Sequence, residues 1–494
     1  MIRALSCVII VSFSAFSCTK PQPIPKNLVL AHVGDKTITI QDFIRRAEYS
    51  IRPAYCRQSN YVHKKIVLNS LIAEKLATLE MKKNDDELLV SSHFKSFLKG
   101  RKEQAMRQVF YNDKFYDAVT ISDTEVQDHF AMAGRTIQVN YLNLPDIKTI
   151  QKILELSQDN VSLDSIFKSL WEGDVPTREI RWFDREPEAI HAQLFQKQLK
   201  KGQLVGPFKT EDNTYLIMEV DSWIDRPVLK GEDQKSLWND VRERLTEKTA
   251  RSHYMKYVEN LMAGNKMELN PDVFDTYATL AADYYIKDDD EKENALNQVL
   301  WDQIEQPAIK NFKVNPELDL TAILFTYNGE TWTIQAFNNL LKSRPLVFRK
   351  RKMNRGEFPS QLRLAVADVL MDFEITQECY EAGIDRSWSI ASNVDLWHDA
   401  YASKRYLDMK KPDRGGFETE KELLDFFNPV IDSLQGVYSD KIMINMDAFE
   451  NIELTATDMV VTQKGVPYPI MVPLFPIITT DNRLDYGSKS KFDD

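Results

Sequence analysis

The sequence predicts a mainly α-helical chain that carries an inserted α+β domain and a second helical module related to the first by an internal repeat. Three observations predict it. A strand–turn–strand–helix pattern occurs twice, at Val33–Phe43 (VGDKTITIQDF) and Tyr327–Phe337 (YNGETWTIQAF), with Thr37/Thr331, Thr39/Thr333, Ile40/Ile334, Gln41/Gln335 and Phe43/Phe337 matched. A long run with apolar residues at helical spacing follows each copy, His63–Lys83 in one and Gln361–Ala382 in the other. Between about Ile137 and Asp225 the pattern changes to short alternating strands separated by helical stretches.

Residues 1–17 have a basic start at Arg3 and an apolar run, Ala4–Phe16, of signal-peptide length and short of a membrane span. At the boundary with the next segment stands Ala15-Phe16-Ser17-Cys18, which resembles a bacterial lipobox and implies that Cys18 bears lipid. Residues 18–30 contain the proline-rich stretch Thr19–Lys26, an extended tether. Thr19 rather than Asp after Cys18 points to the outer membrane under the sorting rule of such signals.

The first helical module is expected over 31–136, with Thr39 capping a helix that starts near Gln41. The insert, 137–225, reads as strand Ile137–Leu144, helix Thr149–Leu170, strand Ile180–Phe183, helix Ile190–Leu199, a turn into a strand over Lys200–Phe208, and strand Thr214–Val220. That order suits helices packed on a small antiparallel sheet. Residues 226–280 hold a closing helix, Glu232–Leu261, and 281–326 form a linker in which Asp288–Glu293 is a solvated acidic run. The second module spans 327–454. The modules end alike, in Lys266–Phe274 (KMELNPDVF) and Lys441–Phe449 (KIMINMDAF). Residues 455–494 are a tail whose Val466–Ile478 (VPYPIMVPLFPII) is too rich in proline for a helix and too apolar for comfortable solvation.

The 494 residues carry a net charge of −11, and an acidic chain lacks the clustered cations that nucleic-acid binding needs. The four cysteines form no Cys-x-x-Cys pair, and neither a metal nor a cofactor is expected. Cys56 and Cys379, one in each repeat copy, are candidates for a disulfide. The basic run Arg344–Arg355 reads as a charged surface turn, with anionic lipid or an acidic partner as the alternative.

The insert resembles the parvulin-type peptidyl-prolyl isomerase domain. Arg181-Trp182-Phe183 is similar to that family's Gly-Trp-Phe strand, and Leu199–Phe208 (LKKGQLVGPF) to its Leu-x-x-Gly-x-x-x-Gly-Pro segment. The flanking modules resemble those of SurA- and PrsA-like periplasmic foldases. The resemblance implies a foldase or chaperone on the periplasmic side of a bacterial membrane, binding unfolded or extended envelope polypeptides. It places the family's two His positions, on the first and last strands, at Tyr141 and Tyr215, which implies a degraded isomerase site. Trp182, Phe183 and His191 are the other candidates. Two further readings stay open: an active isomerase in which the tyrosines substitute for His, and an accessory envelope lipoprotein that grips one dedicated partner through 466–478.

Overall fold

The computed structural model describes residues 27–83, 86–158, 161–184, 186–195, 199–210, 214–225, 231–286, 319–350, 353–411, 417, 419–455, 459, 463 and 466–489. The signal peptide, Cys18 and Asp288–Glu293 lie outside them. The described residues form two units, one drawn from 1–109 and 264–494, the other from 110–263.

The chain opens with a hairpin, β1 (Val29–Val33) and β2 (Lys36–Thr39), turned at Gly34. Gly34 has φ +61°, and a Cβ there would sit 2.9 Å from Leu79 Cδ1, so glycine is required. Thr39 caps α1 (Ile40–Glu48): its hydroxyl accepts from Asp42 N, and the Asp42 carboxylate accepts from Thr39 N, both at 3.1 Å. Then come α2 (Tyr61–Lys82), capped by Asn60 and buried along most of its length, and α3 (Ser92–Tyr111).

The second unit follows, with α4 (Asp123–Ala133), β3 (Arg135–Leu144), α5 (Ile147–Gln158), α6 (Leu163–Leu170), β4 (Thr177–Arg181), α7 (Glu188–Phe195), β5 (Leu204–Lys209), β6 (Tyr215–Asp225) and α8 (Gly231–Met262). Its sheet has the order β4-β3-β6-β5, antiparallel throughout. The single helix expected over Thr149–Leu170 is two, because Ser162 adopts an extended backbone and its hydroxyl caps α6 by accepting from Ser165 N. The strand expected over Ile180–Phe183 ends at Arg181; the Asp184 carboxylate accepts from Arg181 N at 2.8 Å and pulls Trp182-Phe183 into a turn. Val126 and Ala133 of α4 and Val241 and Leu245 of α8 share one core with Ile137 and Val139 of β3. The divisions 31–136, 137–225 and 226–280 therefore do not coincide with the packed units: α4 and the first half of α8 belong with the sheet.

The first unit resumes with β7 (Met267–Leu269), α9 (Pro271–Tyr285), β8 (Ile323–Tyr327), β9 (Glu330–Thr333), α10 (Ile334–Leu341), α11 (Phe358–Glu381), α12 (Trp388–Lys410), α13 (Glu420–Val437), β10 (Ile442–Ile444), α14 (Met446–Glu450) and β11 (Ser488–Lys489). Thr333 caps α10 as Thr39 caps α1, its hydroxyl accepting from Ala336 N at 3.1 Å. The closing segments are exchanged. The first hairpin pairs with β10, Ala31 opposite Ile444, and the second pairs with β7, Phe325 opposite Leu269. Each hairpin thus takes its third strand from the far end of the other copy, so neither 31–136 with 226–280 nor 327–454 closes on itself. Two separate cores result, one around Leu30, Val67, Ile72 and Phe449, the other around Phe274, Phe325, Phe337 and Leu362.

Cys56 and Cys379 are both buried and are not joined by a disulfide, which corrects the disulfide expectation. The described cations of the basic run are partnered by carboxylates: Arg344 with Glu103 at 2.8 Å, Arg349 with Asp368 at 2.6 Å, Lys350 with Glu357 at 2.8 Å and Arg355 with Asp283 at 2.6 Å; Arg351 and Lys352 lie outside the described residues. Among the described residues no helix is long and apolar enough to cross a membrane.

Candidate functional site

Side chains alternate across a strand, so register decides which residues of the sheet can act together. In the β3–β6 pair, Tyr141 lies opposite Met218 and Leu144 opposite Tyr215. Tyr141 packs with Val139, Met218 and Val220 on the face covered by α4, α7 and α8. Tyr215 packs with Leu142, Leu144 and Ile217 on the face covered by α5 and α6. The two tyrosines are therefore on opposite faces and form no pair. The β6 residue beside Met218 on Tyr141's face is Leu216, which offers no hydrogen-bond donor. A one-residue offset in β6 separates the expected pair from the observed one.

Trp182, Phe183 and His191 cluster beyond the end of β4. Arg181 is opposite Thr136, so the end of β4 is about 17 Å along β3 from Tyr141, and Trp182 lies beyond that end. Trp182 is buried, its indole edge-on to Phe183 with ring centres 4.8 Å apart. Phe183 is partly exposed. His191 is buried between Trp182 and Phe195, and its Nε2 donates to the Trp182 carbonyl at 2.8 Å. Burial holds its pKa below the ordinary histidine value despite that hydrogen bond, so the ring is neutral and its Nε2–H is committed. His191 therefore braces the turn and has no proton to offer a substrate.

The first unit contains an open cavity of about 330 Å³. One face of α12 lines it through Trp397, Ala400, Tyr401, Lys404 and Leu407, spaced three and four residues apart as a helix stripe requires. Leu423 and Phe427 of α13, Phe97 of α3 and Glu74 of α2 add to it, and Met471–Ile478 of the tail form a continuous wall. Phe97 meets Trp397 edge-on at 5.8 Å, and the Arg101 guanidinium lies 4.5 Å from the Trp397 ring centre.

That wall is built into the unit. Phe475 and Ile478 are 2% and 1% exposed and belong to the same core as Val67 and Leu71. The buried Arg46 guanidinium donates to both Glu74 carboxylate oxygens, at 3.0 and 2.8 Å, and to the Leu474 carbonyl at 2.7 Å. Gln104 donates to the Pro469 carbonyl, and Asn69 to the Asp481 and Arg483 carbonyls, each at 2.7 Å. Residues 466–478, expected either to fold back or to await a partner, pack on their own chain.

Behind the cavity, α2 and α12 are joined by a buried ionic cluster. The Asp399 carboxylate accepts from Lys75 Nζ at 2.7 Å and from Lys36 Nζ at 2.8 Å. Burial favours neutral Asp399, but the Lys75 ammonium and the hydrogen bonds from His398 and Lys36 outweigh it and hold the carboxyl well below the usual carboxylate range. Sequence reasoning missed this cavity, although Trp397, Tyr401, Lys404 and Leu407 carry a readable helical period.

No protein-family model matches the chain, and no curated protein matches it. Among solved structures it is similar to the peptidylprolyl isomerase PrsA from Bacillus cereus, at 14% identity and a TM-score of 0.20 over 47% of this chain and 93% of that one. It is also similar to PrsA from Bacillus anthracis, at 16% identity and TM-score 0.20 over 38% and 96% of the two chains. The foldase protein PrsA from Lactococcus lactis matches at 14% identity and TM-score 0.19 over 47% and 93%. At these TM-scores the likeness carries no argument of its own.

Proposed function

We propose that this chain is an extracytoplasmic foldase-type chaperone, held to the outer membrane through lipid on Cys18, which binds unfolded envelope polypeptides and does not catalyse prolyl isomerisation. The observation that carries the binding role is the open cavity walled by Trp397, Tyr401, Leu407, Leu423 and the 471–478 segment. Apolar and aromatic contacts of this kind accept many sequences, as a general chaperone requires. Isomerisation needs polar groups placed around one twisted amide. Tyr141 has Leu216 beside it where a second donor is needed, and Tyr215 faces the other side of the sheet. The chemistry calls for no cofactor.

The test is equilibrium binding of a fluorescent, permanently unfolded polypeptide to residues 19–494, alongside a proline-limited refolding reaction. Micromolar binding to several unrelated unfolded chains, with an unchanged refolding rate at stoichiometric protein, is expected. Saturable acceleration would establish an active isomerase. Binding to no unfolded chain, with one stoichiometric envelope partner recovered instead, would establish the accessory role.

A further inference from the structure

The two hairpins of the first unit hold their third strands by the same bonds. Gly34 N donates to the Lys441 carbonyl at 2.9 Å, as Asn328 N does to that of Lys266 at 3.0 Å. Asn445 N donates to the Leu30 carbonyl at 2.9 Å, as Asn270 N does to that of Leu324 at 3.0 Å. The outer edges of those third strands differ. β11 pairs in parallel with β10, Ser488 opposite Met443 and Lys489 opposite Ile444, whereas β7 pairs only with β8 among the described residues. Register shows which groups this leaves open. Peptide groups alternate across an antiparallel strand. With Lys266 and Asn270 bonded toward β8, Glu268 also faces β8, and the N–H and C=O groups of Met267 and Leu269 point away from it. Their counterparts are Ile442 and Ile444, on the strand that β11 covers. No described residue hydrogen-bonds to the peptide groups of Met267 or Leu269 on that side. Burial follows the same difference: Ile442 and Ile444 are 1% and 0% exposed, Met267 and Leu269 only partly buried, and Glu268 exposed.

Resting on the chaperone reading, we propose that the outer edge of β7 is a second docking site, which takes an extended client segment as a parallel fourth strand in the register that β11 holds on β10. The covered copy sets the shape of the occupant: an extended polypeptide whose peptide groups bond to those on either side of residue 268. Charge sets its preference. Where β10 has Met443, β7 has Glu268, so a strand with lysine or arginine beside it is favoured and an acidic strand is repelled. The same carboxylate opposes a second copy of this chain, because pairing two β7 edges brings Glu268 against Glu268. β11 is itself committed to β10: Gly487 N donates to Ser439 Oγ at 3.0 Å, and the Tyr486 hydroxyl donates to the Asn69 side-chain oxygen. Main-chain pairing along so short a strand is weak and nearly blind to sequence, which suits unfolded clients.

The experiment uses residues 19–494 and a fluorescent hexapeptide with the sequence of residues 487–492, Gly-Ser-Lys-Ser-Lys-Phe. Its partner probe has glutamate in place of both lysines. The parent should bind about three-fold more tightly than the glutamate form, and Glu268→Lys should reverse that order. Leu269→Pro removes an N–H that β8 does not use, a change that edge strands tolerate, and should weaken the parent about five-fold. Amide exchange at Met267 and Leu269 should slow when the parent is bound, while exchange at Ile442 and Ile444 is unchanged. Melting temperatures establish that the variants fold; Glu268→Lys alters only an exposed side chain and carries the test if Leu269→Pro does not fold. Equal affinity for the two peptides, no reversal in Glu268→Lys, or full binding by folded Leu269→Pro would overturn the proposal. So would faster exchange at Ile442 and Ile444, which would show the peptide displacing β11. If unfolded polypeptides bind while exchange at Met267 and Leu269 is unaffected, the edge assignment fails and the chaperone reading stands. If the hexapeptide docks but no unfolded polypeptide binds, the chaperone reading fails and the client proposed for this edge fails with it.

Discussion

Asp399→Asn should destabilise the first unit by about 3–5 kcal/mol, the cost of breaking a buried ion pair from one side. The magnitude follows from what is left behind. Asp399 is fully buried between Lys75, whose side chain is 7% exposed, and Lys36, at 21%. Lys36 can turn toward water; Lys75, within the α2–α12 interface, cannot. The substitution therefore strands one ammonium in the interior. Urea unfolding followed by tryptophan fluorescence, with Trp397 two residues away, is the assay. Asp399→Leu combined with Lys75→Met should recover most of the loss, because a packed apolar pair replaces an ionic one at little net cost. The pH dependence has a definite sign. Asp399 is held below its unfolded value, so its contribution is present above that value, about 3.9, and is lost as pH falls below it. The Asn variant should lack this acid-side loss. A destabilisation under about 1 kcal/mol, or a double variant no better than the single, would refute the reasoning.

Three other outcomes are expected. Tyr141→Phe and Tyr215→Phe should leave the rate of proline-limited refolding in the presence of the protein unchanged, singly and together; a slower rate in either variant would show a working tyrosine. Deleting residues 466–494 should weaken binding of unfolded polypeptide and lower the melting temperature by several degrees, because Phe475 and Ile478 are core residues and the wall is lost; tighter binding would show a displaceable tail occupying its own cavity. Cys56, whose thiol burial pushes up to about 12, should resist alkylation at pH 8 in the folded protein and react on unfolding, as should the buried Cys379, with no mass change on reduction; rapid labelling of the native state would contradict the packing.

Local chemistry was readable. Two threonines cap two helices after two hairpins, and the alternation over Ile137–Leu144 and Thr214–Val220 marks the strands that pair at the centre of the second unit. What sequence could not supply was pairing across distance. The segments Lys266–Phe274 and Lys441–Phe449, which contain β7 and β10, carry Lys, Asn, Asp and Phe in the same register, so either suits either hairpin, and their exchange is decided by the rest of the chain. A similar ambiguity displaced the candidate site. Tyr215 and Leu216 are neighbours in sequence, yet their side chains sit on opposite faces of the sheet, so an alignment one residue out exchanges a polar pair for a tyrosine beside a leucine. The cavity draws on residues near 74, 97, 400, 425 and 475. No motif spans such separations, although the unusual tail marked one of its walls.

The measurement that bears most directly on the central claim is the affinity of residues 19–494 for a permanently unfolded polypeptide, with and without Ala400→Trp. Ala400 lies on the α12 stripe of the cavity, and an indole there fills space that a client needs. Micromolar binding that falls at least ten-fold in the variant, with the melting temperature retained, is the result predicted. Equal binding by both proteins would contradict the claim that this cavity is where the chain holds its clients.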